Sequence, residues 1–351
     1  MGTTIVYMNI QTVKFNDLSF IDVTNPGDLE LKYLKNNFGF DSLHLDDYIH
    51  KNQIPKIEIF KNYSLLVFDF PYFAGSQLSN LPNQQHQDND KSSFVKLFDS
   101  TKNAIPTVTF SHPERKKRIL SSQIDLFIGK DYLVILHDGS LAPINDIFVH
   151  AQKTLRNRQE LLSEGPIFLA YRIIDALVDS CFPVMNGLSS TIDRIDKELE
   201  VTQTSTTIED ISLTRRNIVV FQTMIKPVIP LFRQLEEGKY KELNGPMQPF
   251  WSNILDHLQK IWDRLEDSKE LIEGISESNE SILSYRSNEI VKFLTVITAV
   301  AFPFVIVNNL YSMNVVGLPF ATYHGIVWIL FGLIFVAGID VLLYFKHRKW
   351  I

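Results

Sequence analysis

From Asn288, steps of three or four residues reach Val291, Leu294, Thr298, Phe302, Val305, Asn309 and Ser312. On a helix these positions share one face. That face carries carboxamides near its two ends and mostly bulky apolar groups between them. A carboxamide oxygen accepts hydrogen bonds from the water shell of a cation without stripping it, and Mg²⁺ gives up that shell reluctantly. Apolar side chains around a narrow lumen exclude water and can close it. If copies of the chain turned this face toward a shared axis, the chemistry would be passage of a hydrated divalent cation. A second reading stays open, in which Asn308 and Asn309 only glue neighbouring helices together.

Other chemistry-bearing groups are sparser. Asp340 is the one acid between Gly325 and Phe345. It lies a turn or so from a basic end, which suits an acid at the membrane edge better than a proton relay. His44, Asp46, Asp47 and His50 recur at helical spacing as metal ligands would, but they read as a solvated helix face. Arg115-Lys116-Lys117-Arg118 reads as an exposed turn. The lone Cys181 excludes a disulfide framework and is expected to pack quietly inside a helix. No P-loop, GxSxG, HExxH or Rossmann fingerprint is present, so the chain is not expected to be an enzyme or an ATP-driven pump.

A face of this kind needs a membrane span to carry it. Phe293 to Leu310 is eighteen residues without a charge, ~27 Å of helix and enough for one hydrocarbon core. Gly325 to Phe345 is a second apolar run, followed at once by Lys346, His347, Arg348 and Lys349. Basic clusters beside a span belong on the cytoplasmic side. Two spans joined by 311–324 then leave both termini in the cytosol and Tyr311-Ser312-Met313-Asn314 outside. The chain reads as a multi-pass plasma-membrane protein in contact with lipid, its bulk cytosolic. Met1 to Asn16 lacks a basic stretch followed by an apolar one, so no signal peptide is expected.

Residues 1–150 read as a mixed α/β domain. Tyr63–Phe70, Ile124–Ile128 and Tyr132–His137 are β-rich runs, the last two joined by a Gly129-Lys130-Asp131 turn. Leu29–Asn36 and Ser42–His50 read as helices, and Ser76–Ser93 as a mobile polar loop. Residues 151–248 read as helical, with a bend at Pro183 and a break near Pro227 and Pro230. Over 249–310 a single stalk helix of ~90 Å is expected, running into the first span. Ile254, Leu258, Ile261, Leu265, Ile272, Ile275 and Ile282 give it a coiled-coil-like stripe. Such a stripe packs on preceding helices, on copies of itself, or both, and a symmetric oligomer is the simplest arrangement. The second span is 325–345 and the basic tail 346–351. The net charge of −6 argues against nucleic acid as a partner.

Certain residues are recognisable together. Asn288-Glu289-Ile290-Val291-Lys292-Phe293-Leu294-Thr295 enters the first span, Pro303 sits within it, and Tyr311-Ser312-Met313-Asn314 follows. The chain also carries Tyr344-Phe345-Lys346-His347-Arg348-Lys349-Trp350, Asp256-His257-Leu258, Ile174 to Asp179, and Leu45-Asp46-Asp47 through Glu58 to Tyr63. Over nearly its whole length this resembles the CorA-type metal-ion transporters, with their Asn-Glu-x-x-Lys-x-Leu-Thr entry, Tyr-Gly-Met-Asn signature and basic tail closing on Trp.

The resemblance implies a homopentameric channel with a cytosolic α/β domain, a funnel of long helices and two transmembrane helices. It implies that Asn314 forms the outer carboxamide ring with Met313 supporting the turn, Asn288 the inner polar ring, and Leu294 and Phe302 the apolar constrictions. Mg²⁺ is the implied cargo and a candidate regulatory ion, with Glu277 a carboxylate in the lower funnel and no organic cofactor. The chain departs from the pattern in three places. Ser312 replaces the motif's glycine, Val315 to Phe320 lacks acids, and Asn253 stands where many members carry a regulatory acid. The expected function is Mg²⁺ influx down the electrochemical gradient. The alternatives are a Zn²⁺, Co²⁺ or Ni²⁺ transporter, with or without proton coupling, and a non-conducting membrane-anchored metal sensor.

Overall fold

The computed structural model describes residues 9–50, 54–74, 118–201, 205–313 and 324–348. Runs of β-branched and aromatic residues build a six-stranded sheet. β1 (Ile10–Phe15) and β2 (Leu18–Thr24) form a hairpin whose turn holds Asn16 at a φ of 49°, a left-handed conformation that asparagine tolerates. β3 (Lys56–Ile59), β4 (Ser64–Phe73), β5 (Ile119–Ile128) and β6 (Tyr132–His137) complete the order β1-β2-β6-β5-β4-β3. Among the described strands, only β2 and β6 pair in parallel.

One face of the sheet is covered by α1 (Asp28–Phe38) and α2 (Ser42–His50). Ile21, Val23, Leu65, Val67, Phe127, Val134 and Leu136 meet Leu31, Leu34, Leu45 and Tyr48 there. Phe40, between the two helices, stacks on Phe127 with centroids 4.2 Å apart. The other face is covered by α3 (Ala142–Lys153), α5 (Pro166–Val201), α6 (Ser205–Ile225) and α7 (Val228–Glu236), with α4 (Leu155–Leu162) between α3 and α5. Phe148 of α3 meets Phe20 edge-on, and Phe232 of α7 packs on Phe68.

α8 (Gln248–Ser312) is one helix of 65 residues. The chain divides into two compact units between Glu273 and Gly274, so α8 contributes to both. In the first unit its side-chain pairs with α5 keep a fixed offset of 78 residues, from Asn253–Asp175 to Arg264–Asn186, so the two helices run parallel. Against α6 and α7 the register reverses: Trp262 receives Lys226, Glu266 receives Gln222, and Ser252 donates to Glu236. Ile254, Leu258, Ile261, Leu265 and Ile272 are fully buried. The second unit holds the remainder of α8 and α9 (His324–His347).

Among the described residues, three helices are long and apolar enough to cross a membrane: Thr207–Glu236, Gly245–Ser312 and Trp328–His347. In the first, 39% of the most apolar stretch is buried within the chain, against 6% in each of the others. The first presents Ile218, Phe221, Ile225 and Phe232 to protein.

Several expectations need correction. The apolar stripe of the stalk is buried inside one chain as far as Ile275, so packing within the chain satisfies that part and it does not itself require other copies. Tyr311 and Ser312 belong to α8 rather than to the connection, and α9 extends two residues past Phe345. β1, β2 and β3 went unread. His44 is not on a solvated face: it is 7% exposed, 3.0 Å from the Tyr63 hydroxyl and 3.6 Å from Glu58. The polar loop over 76–93, Arg115 to Lys117 and the residues from 314 to 323 lie outside the described residues.

Candidate functional site

The eight positions from Asn288 to Ser312 share one face of α8, and all eight are exposed. Leu294 is 61% and Phe302 60% exposed, although both are large and apolar. The opposite face is covered: Val296 is 2% exposed, and Val300, Phe304, Val307 and Tyr311 are half-buried. On α9 the half-buried positions Ile334, Gly338, Val341 and Phe345 recur at the same helical spacing. A Cβ added at Gly338 would lie 3.3 Å from Val300 Cγ1, the kind of close approach that small residues allow between membrane helices. α9 therefore packs on the back of α8 and leaves the polar-tipped stripe bare.

Hydroxyls near or on the stripe donate into the helix itself. Thr295 donates to the Val291 carbonyl at 2.7 Å, Thr298 to Leu294 at 2.8 Å and Ser312 to Asn308 at 2.7 Å. With the protons used this way, the oxygens face outward as acceptors. Ser312 ends α8 in helical conformation, and the exposed Met313 follows. Asn314 lies outside the described residues.

The stripe also continues below Asn288, which the sequence reading missed. Glu277, Ser281, Ser284 and Asn288 step by four, three and four, and with Glu280 and Tyr285 they line an open groove on α8. The stepping rule that found the upper stripe would have found this part if carried downward. Glu277, proposed as a carboxylate of the lower funnel, thus stands on the same face as Asn288. Beside the stripe, Lys292 is tied to Glu289 at 3.0 Å.

A second polar cluster joins α5 to α8. Asn253 Nδ2 donates to Asp175 Oδ1 at 3.3 Å. One turn along, His257 Nδ1 lies 3.3 Å from Asp179 Oδ1 without hydrogen-bond alignment, and the imidazole sits edge-on to Phe182. Burial raises the Asp175 carboxyl above its ordinary range, and the Asp179 carboxylate raises it further; His257, Arg172 and the Asn253 amide oppose them. Among the described residues no group of three or more His, Cys, Asp or Glu side chains is gathered to hold a metal ion. A resident metal held by one chain does not fit this cluster. Cys181 is fully buried with its thiol pushed up by desolvation, as an inert packing group should be.

The family model described as "CorA-like Mg2+ transporter protein" matches residues 76–347. A cobalt/magnesium transport protein CorA of Thermotoga maritima is 23% identical over 315 residues, which is 90% of this chain and 78% of that protein. A putative metal ion transporter, YfjQ, of Bacillus subtilis is 20% identical over 343 residues, 97% of this chain and 93% of that one. Among solved structures, the complete CorA magnesium transporter from Methanocaldococcus jannaschii superposes with a TM-score of 0.72 at 17% identity, covering 99% of this chain and all of that one. At that identity the likeness is one of fold.

Proposed function

The chain belongs to the CorA-like Mg²⁺ transporter family, and on that premise we propose that it is a divalent metal-ion channel admitting Mg²⁺ down its electrochemical gradient. The observation that carries this reading is the bare face of α8 from Asn288 to Ser312, opposite the face that α9 covers. The carboxamides and hydroxyls of Asn288, Thr298, Asn309 and Ser312 are poor lipid contacts, and a shared axis gives them a place together with the exposed Leu294 and Phe302 between them.

Five copies around that axis, a number taken from the resemblance, put Asn314 at the outer ring with Met313, Ser312 and Asn309 beneath it. Asn288 forms the inner ring. Between them Val291, Leu294, Thr298, Phe302 and Val305 line the lumen, with Leu294 and Phe302 narrowest. The carboxamides read the ion through its water shell, and the apolar middle closes by dewetting. Glu277, lower on the same face, would gather cations where they leave the pore. The upper part of α8 and α9 serve as the two spans, while α6 and α7 stay with the sheet that buries their apolar side chains. Lys346, His347 and Arg348 then lie on the cytoplasmic side of the plasma membrane with both termini.

The two relatives named CorA above are called cobalt/magnesium and magnesium transporters, so Co²⁺ is the second cargo to test. Purified protein in vesicles should pass Mg²⁺ from a panel of Mg²⁺, Co²⁺, Ni²⁺ and Zn²⁺, without need of a pH gradient. Preference for a transition metal would move the cargo. Passage of none would leave a membrane-anchored sensor.

A further inference from the structure

Asp125 lies in the middle of β5, opposite Val67 of β4 and Leu136 of β6, and is 0% exposed. On this face of the sheet its neighbours Val67, Leu136 and Phe127 belong to the apolar core that Leu45 and Tyr48 of α2 complete. One carboxyl oxygen, Oδ1, receives Gln123 Nε2 at 2.7 Å. The other, Oδ2, is buried without a hydrogen-bond partner. A carboxylate in that position would leave most of its acceptor capacity empty in an apolar core.

We propose that Asp125 is a proton-operated latch: as a neutral acid it lets α2 seat on the sheet, and as an anion it favours lifting of α2 to admit water. The groups facing it agree. Tyr48 and Asp47 come from α2, Lys56 from β3, and Asp69 from β4, where it accepts a hydrogen bond from Ser121. Asp138, just past β6, faces Tyr48. Two of the four that face Asp125 are acids, Asp138 beside Tyr48 is a third nearby, and Lys56 is shared with Asp47 and Glu58 at 3.9 and 3.4 Å. Burial, set against the Gln123 amide and Lys56, pushes the Asp125 carboxyl up to about 7.

The sign follows from proton counting. In an opened or unfolded chain Asp125 ionises near ~3.9. Between that value and about 7 the closed form holds the extra proton, so opening becomes easier as pH rises and levels off above the window. The device does not depend on what the protein transports.

Hydrogen exchange of the full-length protein tests it, with amide rates corrected for their intrinsic pH dependence. Opening of residues 42–50 should rise by up to roughly tenfold per pH unit from pH 5 to 7 and then level, while α3 serves as an internal reference. Asp125→Asn should remove that slope. Gln123→Met, which deletes the donor favouring the anion, should carry the levelling-off to higher pH. An α2 slope no steeper than that of α3, a slope that survives Asp125→Asn, or a plateau unmoved in Gln123→Met overturns the proposal.

Discussion

The Asn253 amide donates to the Asp175 carboxylate across 3.3 Å, tying α8 to α5 at a point where the carboxyl is already raised by burial and by Asp179. A neutral donor stands where the resemblance leads one to expect an acid, and it satisfies Asp175 within a single chain.

Asn253→Asp turns that donor into a second acid and sets two carboxylates face to face, with Asp179 one turn away. Such pairs need a proton or a cation between them. The variant should lose about 1 kcal/mol of stability in chelator at neutral pH and regain it when Mg²⁺ is added. In the parent, Asp175 favours its protonated form, so its contribution declines as pH rises above the ordinary carboxylate range toward its raised value. The second acid should extend that decline to higher pH. Thermal unfolding with and without Mg²⁺ checks both, and a variant indifferent to Mg²⁺ rules out cation gathering here.

Asn314→Ala should abolish selective uptake and leave assembly intact. In sequence Asn314 follows directly on Met313, and contact of its carboxamide with a hydrated ion is proposed. Flux and ion preference that survive the change would place the filter elsewhere.

Gly338→Ala should be tolerated with a small adjustment of Val300, since the added Cβ would sit at 3.3 Å. Gly338→Leu overfills the same contact and should cost ~1–3 kcal/mol, seen as lower thermal stability in detergent. Equal midpoints for the two would show that α8 and α9 do not meet here in the assembled protein.

Phe302→Ala should leave the single chain's packing unchanged, because the ring is 60% exposed. Removing a bulky apolar constriction lowers the barrier to wetting, and flux should rise on the order of tenfold, equivalent to ~1.4 kcal/mol. Unchanged flux in vesicles would remove Phe302 from the proposed gate.

Long-period features were legible. The stalk, both apolar runs, Ser42–His50 and the β5–β6 hairpin follow from spacing, turn residues and missing prolines. Strands that depend on distant partners were not. The Asn16-Asp17 turn between β1 and β2 lacks glycine, and β2 owes its place to parallel pairing with β6 more than a hundred residues away. The fate of the stalk's stripe was equally hidden, since the partners that bury it lie on α5 to α7. His44 misled because spacing marks it as ligand or solvated, whereas Tyr63 and Glu58 receive it. That the upper stripe shares one face was readable because helical spacing alone sets it, with no partner from elsewhere in the chain.

That the stripe runs along an unbroken helix makes it a matter of rotational phase. Deleting one residue between Asn288 and Thr298 would turn everything above it by about 100° relative to the part below. Two deletions would swing Phe302 and Asn309 toward the side that α9 occupies and bring Phe304 and Tyr311 round in their place. An inserted heptad, by contrast, restores the phase to within ~20°. This segment should therefore accept many substitutions yet reject almost any change of length, and the few lengths it accepts should differ by near-whole numbers of turns, about seven or eleven residues.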